Sequence, residues 1–185
     1  MFAASEEETE ENTEVEEEKE YIADVVEDFN KYEGFFETYQ DPKSSDIYLV
    51  INESQLNEEF IYFAHVVDGV VAARRNRGSY LDNGVFKIEK HFETLRLSRI
   101  NTSYTLNKET ALSRSEGANI SDSVLSSLSI KAKNKEENRF LINVTSLFLS
   151  EELTPIKPIP SPFENEKSFR WGQVSSSKSK IEGIH

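Results

Sequence analysis

The chain has no cysteine, which excludes structural disulfides, thiolate zinc sites and cysteine nucleophiles. Glycine is scarce, seven residues in 185, and neither G-x-G-x-x-G nor a P-loop pattern occurs, so nucleotide binding has no basis. No apolar run approaches the ~18 residues of a membrane-spanning helix. Met1 to Ser5 is too short to hold the apolar region of a signal peptide. Histidine is equally sparse. A helical zinc-protease site needs two histidines four apart with a glutamate beside the first, and neither His65 nor His91 has such a neighbour, while His185 stands last. His91-Phe92-Glu93 matches the H-x-E of zinc deaminases, but that chemistry also needs P-C-x-x-C, which a cysteine-free chain lacks. No G-x-S-x-G elbow is present. Glu58-Glu59 and Glu151-Glu152 are adjacent carboxylates, and strand neighbours point to opposite faces, so they make poor acid/base pairs. No catalytic, cofactor-binding or metal-ligating residue is therefore assigned.

What is present is acid at one end and aromatic strands in the middle. The net charge is −13, and Glu6 to Glu20 holds ten glutamates against Lys19 alone. Such a stretch repels itself and has nothing apolar to bury, which predicts a leader without fixed structure over residues 1–23. The remainder is only mildly acidic, which argues against a phosphate-binding surface and against nucleic acid as a partner.

Residues 24–153 carry the folding signals. Val25, Val26 and Phe29 at helical spacing predict a short helix within Asp24 to Lys31. Phe35 to Tyr39 and Ile47 to Ile51 flank the turn residues Asp41-Pro42-Lys43-Ser44-Ser45-Asp46, which predicts a hairpin over 35–51. Asn52 to Asn57 is a loop or one helical turn, with Ser54 as a candidate N-cap. Phe60 to Val67 is apolar on both parities, the pattern of a central strand covered on each face. Asp82-Asn83-Gly84 has turn chemistry. Phe86, Ile88 and Phe92, then Leu95 and Leu97, alternate with polar residues as one long bent strand or two paired ones, and Tyr104 to Leu106 is a candidate extension.

Asn107 to Asn119 reads as a polar surface excursion, and Ile120 to Leu125 as a brief helix or the start of a strand. Leu128, Ile130 and Ala132 share one parity, Asn134 to Asn138 turns the chain, and Phe140, Ile142 and Val144 return it in the clearest hairpin of the sequence. Thr145 or Ser146 is placed to cap a turn of helix through Leu149. Residues 154–185 read as a linker and the start of a next segment, with four prolines between Pro155 and Pro162. The expected fold is mainly β, an antiparallel sheet or sandwich built from hairpins with a few short helices.

One basic cluster stands out, Arg74, Arg75 and Arg77 with Tyr80 nearby. It reads either as a solvated loop or as an anion-binding, domain-contact clamp, since arginine forks suit carboxylates. Phe35, Phe36, Tyr39, Tyr48, Phe60, Tyr62 and Phe63 read first as sheet core and second as an aromatic ligand platform.

Several segments together resemble a known module. Tyr32-x-Gly34-Phe35-Phe36-x-x-Tyr39-x-Asp41, Ile47 to Ile51, Leu56-x-x-Glu59-Phe60-Ile61-Tyr62, Val66-x-Asp68-Gly69, Ser121 to Leu125 and Phe140 to Leu149 are similar to a domain of unknown function. That domain stands ahead of the catalytic domain in exported bacterial zinc-dependent metalloproteases. The similarity spans about residues 28–153, and Ser179 to His185 resembles the passage to the next domain. The family's H-E-x-x-H lies downstream and is absent here, so no zinc ligand or catalytic residue carries over. The resemblance implies a non-catalytic accessory domain, exported to the periplasm, outer membrane or exterior. Zinc would be held by the parent's catalytic domain, and that domain and peptide substrate would be the partners. The alternatives are a free-standing peptide- or glycan-binding β protein and an inhibitory pro-region.

Overall fold

The computed structural model describes residues 21–69, 75–104, 109, 121–134, 138–156 and 174–185. Most of the acidic leader, Arg74, nearly all of the 107–119 excursion and most of the proline-bearing stretch lie outside the described residues. Within them the chain is predominantly β. Its elements are α1 (Ile22–Val25), β1 (Asn30–Tyr32), β2 (Glu37–Gln40), β3 (Ile47–Asn52), β4 (Glu59–His65), β5 (Tyr80–His91), β6 (Thr94–Arg99), β7 (Ser123–Asn134), β8 (Arg139–Asn143) and α2 (Thr145–Phe148). Short 3-10 turns occupy Glu53–Gln55 and Ser176–Lys178.

The strands form one eight-stranded antiparallel sheet in the order β1-β2-β3-β8-β7-β6-β5-β4. The sheet curls. Phe36, beside β2 near one edge, meets Phe60 of β4 at the other, with ring centroids 5.3 Å apart. Alternation divides the side chains between two faces. On the inner face Ile47 and Ile51 of β3, Phe86 and Ile88 of β5, Leu95 of β6 and Ile142 of β8 form the main core. Leu147 of α2, Leu153, and the partly buried Ile181 and Ile184 pack against that same core. On the outer face Val50, Ala132 and Leu141 are covered by Ile22 and Val26 from α1 and its end.

Local chemistry explains the elements that were legible. In the β2–β3 turn the Asp41 carboxylate accepts hydrogen bonds from the Lys43 N–H at 2.7 Å and the Ser44 hydroxyl at 2.8 Å, while Ser45 adopts φ 65°. The predicted 35–51 hairpin is realised by β2 and β3, and the 128–144 hairpin by β7 and β8. The undecided stretch after residue 86 resolves into the paired strands β5 and β6.

Several expectations are corrected. The helix covers Ile22–Val25 rather than Asp24 to Lys31, because Asn30 and Lys31 pair with Gln40 and Tyr39 as a strand. Asn52, not Ser54, is the N-cap of the turn at Glu53; its N–H and side-chain amide both donate to the Gln55 side-chain oxygen Oε1, at 3.0 and 3.2 Å. β4 is an edge strand rather than a central one, and its burial alternates strictly. Asp82-Asn83-Gly84 lies inside β5 and pairs with Ala64, Phe63 and Tyr62. Phe92 sits at the β5–β6 turn with φ 51° and is 80% exposed, so it does not continue the inner row. Tyr104 is exposed and outside any strand. A register shift between Ile130 and Ala132 moves Ala132 to the outer face, breaking the shared parity with Leu128 and Ile130. Val144 holds the cap position of α2, and Thr145 is its first residue.

Candidate functional site

The inner face is not completely filled. Phe60 and Tyr62 at the β4 edge, Phe86, Leu97 and Leu128 on the floor, and Leu147 on α2 surround an apolar groove of about 540 Å³. Phe35 and Phe36 stand at its lip, their rings 6.1 and 5.3 Å from Phe60. Curling produces this space: the inner rows converge, but α2 and Leu153 cover only part of them. A polar anchor borders the groove, where the Tyr62 hydroxyl and the buried Thr154 hydroxyl lie 2.7 Å apart. An apolar hollow with few convergent polar groups takes apolar side chains or ligands.

A second hollow of about 430 Å³ has Ile61 and Phe63 on one wall and Asn83, Arg99, Ser121 and Ser123 on another. Arg99 is held there by β5. Its guanidinium donates to both Asp82 carboxylate oxygens at 3.1 Å and to the Asn83 carbonyl at 2.7 Å, and lies 5.9 Å over the Phe86 ring. A bidentate fork of this kind fixes the strand pair β5–β6 at the end where the loops begin.

Several other charged groups are paired across strands. Lys87 contacts Glu89 at 3.2 Å and Asp122 at 3.1 Å. The Asp122 bond, above all, holds Lys87 protonated against its burial. Burial pushes the Asp122 carboxyl up, but the Asn101 N–H and Lys87 outweigh it and leave it below its ordinary range. Glu37 follows the same logic: burial opposes its charge, while the Tyr39 hydroxyl at 2.6 Å and Arg139 at 2.8 Å prevail. Burial and the adjacent Glu37 push Tyr39 up to about 12. These pairs lock strands together, since Arg139 on β8 reaches across β3 to Glu37 on β2.

Among the described residues, Arg75, Arg77 and Tyr80 have separate surroundings. Arg74 lies outside the described residues. Arg75 donates through Nε to the Ile156 carbonyl at 3.0 Å and through a terminal nitrogen to that of Pro155 at 3.4 Å, which ties the β4–β5 loop to the stretch after α2. Arg77 is exposed, and Tyr80 packs its exposed ring on His65 at 4.5 Å. The seven aromatic residues divide between faces: Phe36, Phe60 and Tyr62 line the inner core, Tyr39 and Tyr48 the outer one, and Phe35 and Phe63 are exposed. They make no single platform. Among the described residues no group of three metal-ligating side chains comes together. Sequence reading missed Tyr62–Thr154 and Arg99–Asp82; the one available signal was that Leu95, Leu97 and Arg99 share a parity.

The family model described as Domain of unknown function (DUF5117) matches residues 78–185, more than half of the chain. The chain belongs to this family. No curated protein and no solved structure matches it. The DUF5117 stretch contains β5 to β8 and α2, and so most of the groove floor. β1 to β4, including the open edge, precede it.

Proposed function

We propose that this DUF5117 chain is a non-catalytic accessory domain of an exported bacterial zinc-dependent metallopeptidase. It would pack on the catalytic domain or guide polypeptide substrate toward it. The observation that carries the reading is the apolar groove of about 540 Å³ bordered by an edge strand whose outer side is unbonded among the described residues, a surface suited to another polypeptide. The resemblance of the segments from Tyr32 to Leu149 to the module ahead of such catalytic domains supplies the parent and the export; zinc would belong to that catalytic domain. A free-standing peptide-binding protein is the second reading, because the same groove and edge would serve it.

The test pairs two measurements. The 185-residue chain with added zinc should hydrolyse neither casein nor a mixed peptide library, and robust hydrolysis abolished by a chelator would refute the accessory role. In the parent protein, deleting this domain should raise KM for long unfolded substrates while leaving kcat/KM for short peptides unchanged. A coding frame that supplies no H-E-x-x-H downstream would favour the free-standing reading.

A further inference from the structure

The two edges of the sheet are built very differently. β1 is three residues long and carries Lys31, an edge too short and too charged to recruit another strand. β4 runs seven residues, Glu-Phe-Ile-Tyr-Phe-Ala-His from Glu59 to His65, and among the described residues pairs only with β5. Among the described residues nothing bonds to its far side. In an antiparallel pair roughly alternate residues aim their N–H and C=O groups away from the neighbour, so β4 presents a row of donors and acceptors to solvent. Its side chains carry no guard: Ile61 and Phe63 are 67% and 57% exposed on the outer face, and Phe60 and Tyr62 form the rim of the groove on the inner one.

Charge then specifies what would fit. Glu58 and Glu59 open the strand, both exposed and neither in an ion pair among the described residues. Lys87, the register partner of Glu59, is already engaged by Glu89 and Asp122. The chain as a whole carries −13, which opposes edge-to-edge association of two copies and favours a basic partner.

We infer that β4 is a strand-addition site for an extended segment of another polypeptide, lying antiparallel to β4, with β-branched or aromatic residues in its centre and Lys or Arg at its C-terminal end. Backbone hydrogen bonds supply the ladder. Ile61 and Phe63 receive apolar side chains on one face, Phe60 and Tyr62 on the other, and Glu58 and Glu59 meet the basic end. This inference stands without the metallopeptidase reading, since it concerns only what the edge can bind.

The full 185-residue chain is tested with a fluorescein-labelled peptide of alternating valine and threonine, matched in length to β4 and ending in two lysines. Fluorescence anisotropy should show saturable binding. Methylating the peptide's outward-bonding amide nitrogens should weaken it at least ~ten-fold, because the ladder donors are lost. Replacing Glu58→Gln and Glu59→Gln together should weaken it roughly three- to ten-fold, with the loss disappearing at high salt. Ile61→Lys, an exposed change that leaves the circular dichroism spectrum unaltered, should abolish it. Hydrogen exchange should slow at alternate amides of β4 when peptide is bound. Equal binding of the methylated peptide, protection confined to another strand, or no binding at millimolar peptide would overturn the assignment. So would sedimentation showing a dimer that Ile61→Lys dissociates, since a second copy would then occupy the edge.

Discussion

Gly84 offers a quantitative check on the packing around Arg99. It lies within β5, opposite Tyr62. A Cβ at this position would stand 3.0 Å from Arg99 Nε and 3.2 Å from Phe86 Cε2. Neither neighbour yields freely, because Asp82 and the Asn83 carbonyl hold the guanidinium and the Phe86 side chain is fully buried. Crowding of this kind costs ~1–3 kcal/mol. Against it, alanine restricts the unfolded chain, a gain of ~0.4–1 kcal/mol. Crowding wins, and Gly84→Ala should lose about 1–2 kcal/mol. With a urea m-value of ~2 kcal/mol per M, the midpoint followed by far-UV circular dichroism should fall by roughly 0.5–1 M. Gly34 is the control, since its Cβ would meet nothing closer than the Phe36 carbonyl at 3.6 Å. Gly34→Ala should therefore be neutral or gain up to ~1 kcal/mol. In an Arg99→Ala background the cost of Gly84→Ala should shrink, a coupling that a double-mutant cycle reads directly. A Gly84→Ala midpoint at or above that of the parent chain would refute the packing argument.

Other outcomes follow from the paired polar groups. Tyr62→Phe should cost ~1 kcal/mol in urea unfolding by leaving the buried Thr154 hydroxyl without its partner; an unchanged midpoint would mean that this contact contributes nothing. Glu37 has a depressed pKa, so its stabilisation is present above the ordinary value of 4.5 and is lost as pH falls through the folded value. The stability gap between the parent chain and Glu37→Gln should accordingly close under acid and persist at neutral pH. Tyr39 is shifted the other way, from 10.0 to about 12, so the folded state loses stability as pH rises between those values, and Tyr39→Phe should flatten that alkaline slope.

The hairpins and turns were legible because their causes are local. Asp41, Ser44 and Asp46 bond within six residues of chain, and Phe140, Ile142 and Val144 share one parity. The misreadings share one origin. Ile61 and Phe63 made β4 look two-sided, but alternation reports which way a side chain points and not whether another strand lies beyond. Asp82-Asn83-Gly84 has turn composition, yet Asp82 binds Arg99 seventeen residues away and Gly84 provides the space beneath that arginine. The shift of Ala132 to the outer face depends on a bulge that only pairing with β8 reveals. The basic loop was visible as composition, but its role in holding Pro155 and Ile156 through Arg75 requires the chain to return eighty residues later.

The amino-acid order alone determined that this is an antiparallel β protein without cysteine, with ten glutamates gathered between Glu6 and Glu20. Those properties depend on residue identity and short-range periodicity. Only the tertiary structure decided which strand ends the sheet, where the curl leaves an apolar groove, and which charges cancel. Each of these is set by contacts between residues far apart in sequence, and hydrophobic burial rewards such contacts without encoding them in any local pattern.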